Sequence, residues 1–249
     1  MKALSAFILC AAFALGAAVF AAPPDGPAPG GPAPVDLGKA APFAVLSGTQ
    51  VTNTATATVI NGDLGQWPTA DIPTGFDFSV SPGPGVVNGS VHIVDRAAEN
   101  GQAALTIAYN DAAGRTTGVV VLTDNVDLGG QTLVPGLYKY PGSAAVLTGD
   151  LILAGKGVYI FQIATGLTVS NNARVVLTGG AKAADVFWQV GSTATLGTTS
   201  EFSGTILAYT SITLASGATM DGRALARKGD VTLDFNTITV PPKVKGKKG

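Results

Sequence analysis

Short apolar runs, each three or four residues long and separated by Gly, Asn or Asp, are the main pattern along this chain. Val, Ile, Thr and aromatic residues fill the runs, a composition typical of strands on a half-buried sheet. Clear examples are residues 44–46, 119–122, 158–161 and 186–188. The pattern therefore predicts an all-β fold built from many short strands.

A repeat of 18 residues orders these strands in the C-terminal half. Thr195-Leu196 and Thr213-Leu214 are 18 positions apart, and Thr232-Leu233 follows after 19, which indicates one inserted residue. The segment 161–175 has the same order of residue types and precedes its counterpart by 27 positions. One coil is therefore expected to carry an extra loop.

A repeat of this length, with three strands and three turns, is typical of one rung of a parallel β-helix. An antiparallel sandwich also has short strands and Gly turns, but it does not require a constant register, so we favour the solenoid. In a solenoid, equivalent side chains stack in columns at the strand spacing of about 4.8 Å. We expect the interior to be filled by Ile163, Val190, Leu196, Leu207 and Leu214.

Residues 94–113 differ from the rest, since they are rich in Ala and lack Pro. Their apolar residues recur every three or four positions, which predicts an amphipathic helix with Gly114 as its natural stop. These residues are Ala97, Ala98, Leu105, Ala108, Tyr109 and Ala112. We expect this helix to lie along the solenoid and cover one apolar flank.

The chain ends predict a secreted protein. Residues 1–21 have the pattern of a signal peptide: Lys2 precedes an apolar stretch, and small residues precede Ala22. An uncleaved anchor is the alternative, although the apolar run is short for a membrane span. A Pro/Gly-rich linker (22–34), one domain (35–242) and a basic tail (243–249) follow. Cys10, the only cysteine, would leave with the signal.

Composition narrows the classes of partner. The net charge is -1 and only 12% of residues are charged, which argues against nucleic acid and against electrostatic attachment to a membrane. The 27 Thr outnumber the 15 Lys and Arg together. We therefore expect a surface of Thr, Ser, Ala and Gly that holds water more weakly than a charged surface does.

Catalytic and metal-binding chemistry has little support in the sequence. His92 is the only histidine and is interpreted as structural, so no Ser-His-Asp, Cys-His or multi-His site can be assembled. The pairs Asp124/Asp127 and Asp221/Asp230 lie in Gly-containing turns without a Ca²⁺-loop spacing, and turn formation explains them better. We predict no enzymatic activity, no metal and no cofactor.

Longer motifs then carry a specific resemblance. They are FAVLSG (43–48), VINGDLG (59–65), AYNDAAGR (108–115), YIFQI (159–163), VFWQVG (186–191), GTILA (204–208) and GRALAR (222–227). Over residues 37–238 the chain resembles the DUF3494 ice-binding proteins. The resemblance implies a discontinuous right-handed β-helix of triangular section with a long helix alongside, and N-terminal coils near the last C-terminal ones. It also implies adsorption to ice through one flat face.

Alignment of the coils nominates an ice-contact column after the strands that end at residues 163, 190 and 208, joined by the N-terminal strand. Its members are Ser47, Thr49, Thr165, Ser192, Thr193, Thr210 and Ser211. A second column, Thr168, Thr195, Thr213 and Thr232, and a third set, Thr52, Thr54, Thr56 and Thr58, remain as alternatives. Arg227, Lys228 and Asp230 lie near one end of the first column and would narrow it.

The sequence therefore predicts a secreted, monomeric ice-binding protein. Its partner would be the surface of an ice crystal, and after signal cleavage it would have no membrane span. The alternative is a cell-surface adhesion module that binds glycan or matrix, suggested by the Pro-rich linker and the basic tail. A polysaccharide lyase or hydrolase with a β-helical fold would need an acid/base cluster that the sequence lacks.

Overall fold

A computed structural model describes residues 31–54, 57–76, 85–122, 127–142 and 144–242. The predicted signal, most of the linker, the basic tail, Thr56 and Asp124 lie outside the described residues. Within these ranges the strands pair in parallel and one long helix accompanies them. The predicted solenoid is confirmed, since a sandwich would pair its strands antiparallel. No helix among the described residues is long and apolar enough to cross a membrane.

The strands form three faces, each named here by what lies on it. The threonine face consists of β10 (Ala145–Leu147), β13 (Leu167–Val169), β16 (Ala194–Leu196), β18 (Ile212–Leu214), β20 (Val231–Leu233) and β2 (Val51–Asn53). The helix face contains β7 (Val119–Val121), β9 (Gly136–Tyr140), β12 (Tyr159–Ile163), β15 (Val186–Val190), β1 (Phe43–Ser47), β4 (Asp63–Gln66) and β6 (Val91–Ile93). The mixed face contains β8 (Thr132–Leu133), β11 (Leu151–Ala154), β14 (Val175–Thr178), β21 (Thr237–Thr239), β3 (Thr58–Asn61) and β5 (Gly85–Val87).

Two longer strands, β17 (Glu201–Ala208) and β19 (Thr219–Ala226), turn the corner between the mixed face and the helix face. The start of β17 bridges Arg174 on the mixed face, while its end pairs with β15 on the helix face. The corner lies near Gly204, whose φ of 114° favours glycine. Here the chain changes face without leaving the ladder.

The observed register reproduces the repeat lengths. Trp188 pairs with Ile206, and Ile206 pairs with Ala224, so each step is 18 residues. Phe161 pairs with Trp188, a step of 27 residues. Thr213 pairs with Thr232, which confirms the inserted residue in that coil. The extra loop lies between β14 and β15 and contains the short 3-10 helix Ala183–Asp185.

Alternation along each strand fills the interior with apolar side chains. Four aromatic rings pack in a row through it. Tyr138, Phe161 and Trp188 are stacked, with ring centroids 5.4 Å and 3.9 Å apart, and the Phe202 ring is tilted against Trp188 at 5.1 Å. The predicted interior residues Ile163, Val190, Leu196 and Leu214 belong to this core. Leu207 does not: its neighbours Ile206 and Ala208 point inward, so Leu207 packs under the helix instead.

The N-terminal coils stack on the C-terminal end of the solenoid. β1 pairs with β19, β2 with β20 and β3 with β21, so one N-terminal strand continues each face. The buried hydroxyl of Ser47 helps to join the two segments by donating to the carbonyl oxygens of Gln50 (2.9 Å) and Gly229 (3.0 Å). The discontinuous arrangement implied by the family resemblance is therefore present.

The helix α1 (Arg96–Gly114) connects the two ends of the stack. The Asp95 side chain caps it by accepting from the Ala98 N–H at 2.8 Å. Nineteen residues span about 28 Å, which matches six rung spacings of about 4.8 Å. The helix accordingly contacts strands along the whole helix face, from β6 at the N-terminal coils to β12 near the opposite end. The residues after the helix continue into β7 at that opposite end. The predicted helix and its stop at Gly114 are confirmed.

Candidate functional site

A straight column of threonines runs up the threonine face. Successive strand pairings align Thr168, Thr195, Thr213, Thr232, Thr52 and, through an isolated bridge, Thr74. These side chains are exposed or half-buried, whereas the residues on either side of each threonine within the strands are buried and, apart from Asn53, apolar. Six residues at the rung spacing make a column about 24 Å long. Val146 extends it at the first end.

Two flanking columns complete a grid on this face. In the order of the strands from β10 to β2, the residues before the strands are Ala144, Gly166, Thr193, Ser211, Asp230 and Gln50. Those after the strands are Thr148, Ser170, Gly197, Ala215, Asp234 and Thr54. From the β10 rung to the β2 rung the described residues of the grid thus include no Lys or Arg and only two carboxylates, both in the β20 rung. A third acidic residue, Asp127, bridges to Val146 beyond the first end of the grid. The result is a regular surface of mainly small residues that no helix among the described residues covers.

Six of the seven residues nominated from sequence lie at the margin of this grid. Thr193 and Ser211 belong to the column before the strands, and Thr165, Ser192, Thr210 and Thr49 lie one position further out, at the corner with the helix face. The hydroxyls of Ser192 and Thr210 are 3.4 Å apart, so this outer column is also in register. The nominated set therefore forms an edge of the surface.

Ser47 has to be removed from the nominated set. Its side chain is completely buried and its hydroxyl binds two backbone carbonyls, as described above. Its hydroxyl also accepts from the Thr49 N–H at 3.1 Å. Ser47 therefore holds the turn before β2 and has no surface to offer a partner.

The set Thr52, Thr54, Thr56 and Thr58 does not share one strand face. β2 ends at Asn53, and Thr58 begins β3 on the mixed face. Thr58 is buried, and its hydroxyl donates to Asn53 Oδ1 at 2.7 Å. The period-2 interpretation fails because the chain turns a corner within the set. Of the three described members, Thr52 joins the central column and Thr54 flanks it.

Arg227, Lys228 and Asp230 were expected to narrow the candidate column, but the two basic residues lie outside the grid. The Arg227 guanidinium carbon lies 4.5 Å from the Tyr109 ring centroid and 5.3 Å from that of Tyr209, which draws the cation toward the helix. Lys228 is exposed in the same turn. Of these three charged residues only Asp230 lies in the grid, where its Oδ1 accepts from Thr49 Oγ1 at 2.8 Å.

The other two faces are less regular. On the helix face, outward side chains such as Gln162 and Gln189 are buried beneath α1. The mixed face carries the Arg174–Asp150 ion pair (2.6 Å) and the exposed carboxylates of Glu201 and Asp221. Apolar side chains such as Val59 interrupt the polar ones there.

The described residues contain no group of three or more His, Cys, Asp or Glu that could hold a metal ion. The Asp127 carboxylate accepts from the backbone N–H groups of Gly129 (2.8 Å) and Thr148 (3.0 Å), as expected for a turn residue. Asp221 and Asp230 lie on different faces and cannot act as a pair. His92 Nδ1 lies 2.7 Å from Asp95 Oδ2, beside the helix cap, which agrees with a structural role.

Known proteins resemble this chain in sequence. Residues 45–239 match the model of a family described as ice-binding-like. An ice-binding protein from Nostoc sp. (strain HG1) is 43% identical over 208 residues, which cover 82% of this chain and 73% of the relative. One from Flavobacterium frigoris (strain PS1) is 38% identical over 218 residues, covering 83% and 76%.

Solved structures show the same similarity in three dimensions. The crystal structure of an ice-binding protein from an Antarctic biological consortium superposes with a TM-score of 0.79 at 41% identity, covering 87% of this chain and 95% of the other. That of an ice-binding protein from the Antarctic ascomycete Antarctomyces psychrotrophicus has a TM-score of 0.75 at 39% identity, covering 85% and 100%. The chain therefore belongs to the ice-binding-like family.

Proposed function

We propose that this protein adsorbs to ice through its threonine face and thereby inhibits ice growth and recrystallisation. The observation that carries the proposal is the in-register column from Thr168 to Thr74, on the face that the one long helix of the described residues leaves uncovered. Membership of a family whose named relatives are ice-binding proteins supports the same function.

The physical argument starts from the shape of ice, which is a rigid surface with a regular array of water positions. A partner for such a surface has to be flat, stiff and periodic, and parallel ladders fix the column spacing at about 4.8 Å. Thr is restricted at χ1, so its methyl and hydroxyl groups lose little additional entropy when they meet ice. The methyl groups favour ordered water and the hydroxyl groups anchor it.

The contact surface in this proposal combines the central column with its margin. Thr193 and Ser211 extend it by one column, and Thr165, Ser192, Thr210 and Thr49 form its rim toward the helix face. The rim residues are less suited to ice than the centre, because the surface begins to turn there. We place the main contact at Thr195 and Thr213, the second and third threonines of the column.

The proposal also covers the setting in which the protein works. We infer a secreted monomer that acts without catalysis, cofactor or metal, with the signal 1–21 removed. The low charge and the Thr-rich surface support a partner that is water in solid form. The absence of cysteine from the mature chain fits a protein stabilised by its core and ladders.

The test is ice-affinity partitioning of the purified protein, together with observation of crystal shape and recrystallisation. We expect the protein to concentrate in slowly grown ice and to shape the crystals. Exclusion from ice, with recrystallisation proceeding as in buffer, would contradict the proposal. Retention on polysaccharide under those conditions would support the adhesion alternative instead.

A pair of matched variants locates the face. Thr213→Tyr places a bulky ring at the centre of the threonine face, and Thr219→Tyr places the same ring at an exposed position on the mixed face. We expect Thr213→Tyr to lose ice partitioning and Thr219→Tyr to keep it, with both folded. Equal partitioning of the two variants would show that another face is used.

A further inference from the structure

One rung of the threonine face differs from the others in charge. In β20 the outward positions are Asp230, Thr232 and Asp234, because alternation turns the intervening Val231 and Leu233 inward. The β18 rung before it carries Ser211, Thr213 and Ala215 at the aligned positions. Two carboxylates therefore lie in one row inside the grid, whereas the other described rungs from β10 to β2 are uncharged and Asp127 lies beyond its first end.

Local contacts hold both residues in the row. The Asp230 N–H donates to Ser211 Oγ at 3.2 Å, and its carboxylate accepts from Thr49 Oγ1 at 2.8 Å. The Asp234 N–H donates to Asn236 Oδ1 at 2.6 Å, which fixes the turn that follows the strand. Asp230 is exposed and Asp234 half-buried. Neither has a basic partner within ion-pair distance among the described residues.

The row of Asp230, Thr232 and Asp234 lies within the threonine face and not at its end. It follows the rungs of Thr168, Thr195 and Thr213 and precedes those of Thr52 and Thr74. Its two carboxylates are four residues apart, about 13 Å along the strand, and so span the width of the grid. The row divides the surface into a longer uncharged part and a shorter one.

Carboxylates bind water strongly and impose their own arrangement on it, so a charge brought against a solid surface without a counter-charge costs free energy. We propose that Asp230 and Asp234 limit the affinity of this protein for ice, and that neutral residues at these positions join the two parts into one contact surface. This inference rests on the proposed function.

The experiment copies the neighbouring rung. Asp230→Ser with Asp234→Ala gives β20 the outward residues that β18 already has. We expect thermal hysteresis at equal protein concentration to rise at least about twofold, with a larger ice-bound fraction, because the desolvation cost is removed. Asp230→Asn with Asp234→Asn keeps the size and the acceptor for Thr49 while removing the charge, and should also gain.

The control is Asp221→Asn, which removes an exposed carboxylate from the mixed face. It should leave thermal hysteresis unchanged, and an equal gain in this variant would overturn the assignment to the threonine face.

The outcomes separate the inference from the proposed function. If the native protein adsorbs to ice and the folded Asn pair shows no gain in hysteresis, charge does not limit the affinity and the inference fails. If the native protein is excluded from ice, the proposed function fails first. Thermal melting shows whether each variant is folded. If the Ser/Ala variant unfolds, the Asn variant tests the inference.

Discussion

Thr195 and Thr213 lie directly opposite each other on the adjacent strands β16 and β18, and both side chains face outward. Their register places the two side chains about 4.8 Å apart, and the pairings on either side continue the same line. Leu167, Ala194 and Ile212, which precede the outward residues, are buried beneath. These buried side chains anchor the strands that carry the outward threonines.

Bulky substitutions should lower thermal hysteresis more at the centre of the threonine face than at its rim. We expect Thr195→Tyr to lower thermal hysteresis about tenfold, since central positions of an interface dominate its affinity. Ser192→Tyr and Thr210→Tyr lie at the corner and should lower it less. Hysteresis measured over a concentration series compares the three variants. Greater loss at the corner than at the centre would shift the contact toward the helix face.

Gln162 fastens the end of the helix to the solenoid. Its buried Nε2 donates to the carbonyl oxygens of Ala112 (2.7 Å) and Arg115 (2.7 Å). Gln162→Leu leaves these acceptors unpaired and should destabilise the fold by about 1–3 kcal/mol, seen as a lower Tm. Ice partitioning near 0 °C should persist, because the threonine face is elsewhere. Asn110→Ala, on the exposed side of the helix, is the control and should melt like the native protein.

The Asp95 cap gives the helix a pH dependence. Desolvation works to raise the pKa of Asp95, but hydrogen bonds from the Ala98 N–H and His92 outweigh it and hold that pKa below its usual value. A lowered folded-state pKa contributes stability above the unfolded value of about 3.9, and this is lost as pH falls through the folded value.

Asp95→Asn keeps the cap without the titration and should reduce the loss of Tm below about pH 4. Asp95→Ala should cost about 1 kcal/mol at neutral pH. Melting curves from pH 2 to pH 7 compare the three proteins. Identical acid profiles for the native protein and the Asn variant would remove Asp95 from the explanation.

Gly101 allows α1 to approach β1 closely. A Cβ at this position would lie 2.7 Å from the Cε2 atom of Phe43, a ring that is itself buried. Ala is the better helix former by about 1 kcal/mol, but overpacking costs about 1–3 kcal/mol, so Gly101→Ala should lower the Tm. At Gly114 a Cβ would meet nothing within 4 Å, and Gly114→Ala should not lower the Tm. A stabilised Gly101→Ala would mean that the helix can shift outward.

Much of the architecture could be predicted because it repeats. The 18-, 19- and 27-residue intervals are visible as pairs such as Thr195-Leu196 and Thr213-Leu214, and the ladder preserves each of them. The helix was predictable from its apolar spacing and the stop at Gly114. Leu207 was placed wrongly because a strand packed on both sides gives no polar residue to mark its direction.

The site was harder to predict because repeat spacing identifies neighbours but not the direction of their side chains. The usable signal was the triplet in which one Thr stands between two apolar residues, as in Ile212-Thr213-Leu214, since alternation turns that Thr outward. Thr52 could not be assigned, because its partner Thr232 lies far away in the sequence. Thr74 could not be assigned because it lies outside any strand and joins the column only through Thr52. Ser47 was placed on the surface wrongly, because the sequence does not show the two carbonyl oxygens that its buried hydroxyl contacts.

The splice between the N-terminal and C-terminal coils also affects how the protein is made. Ser47 and Gly229 meet although they are 182 positions apart in the chain, and β2 can only add to a finished β20. Such distant pairings are slow to form, and the N-terminal segment waits through most of translation before its partner exists. A ribosome that stops early therefore releases a chain whose working surface is unfinished at one end.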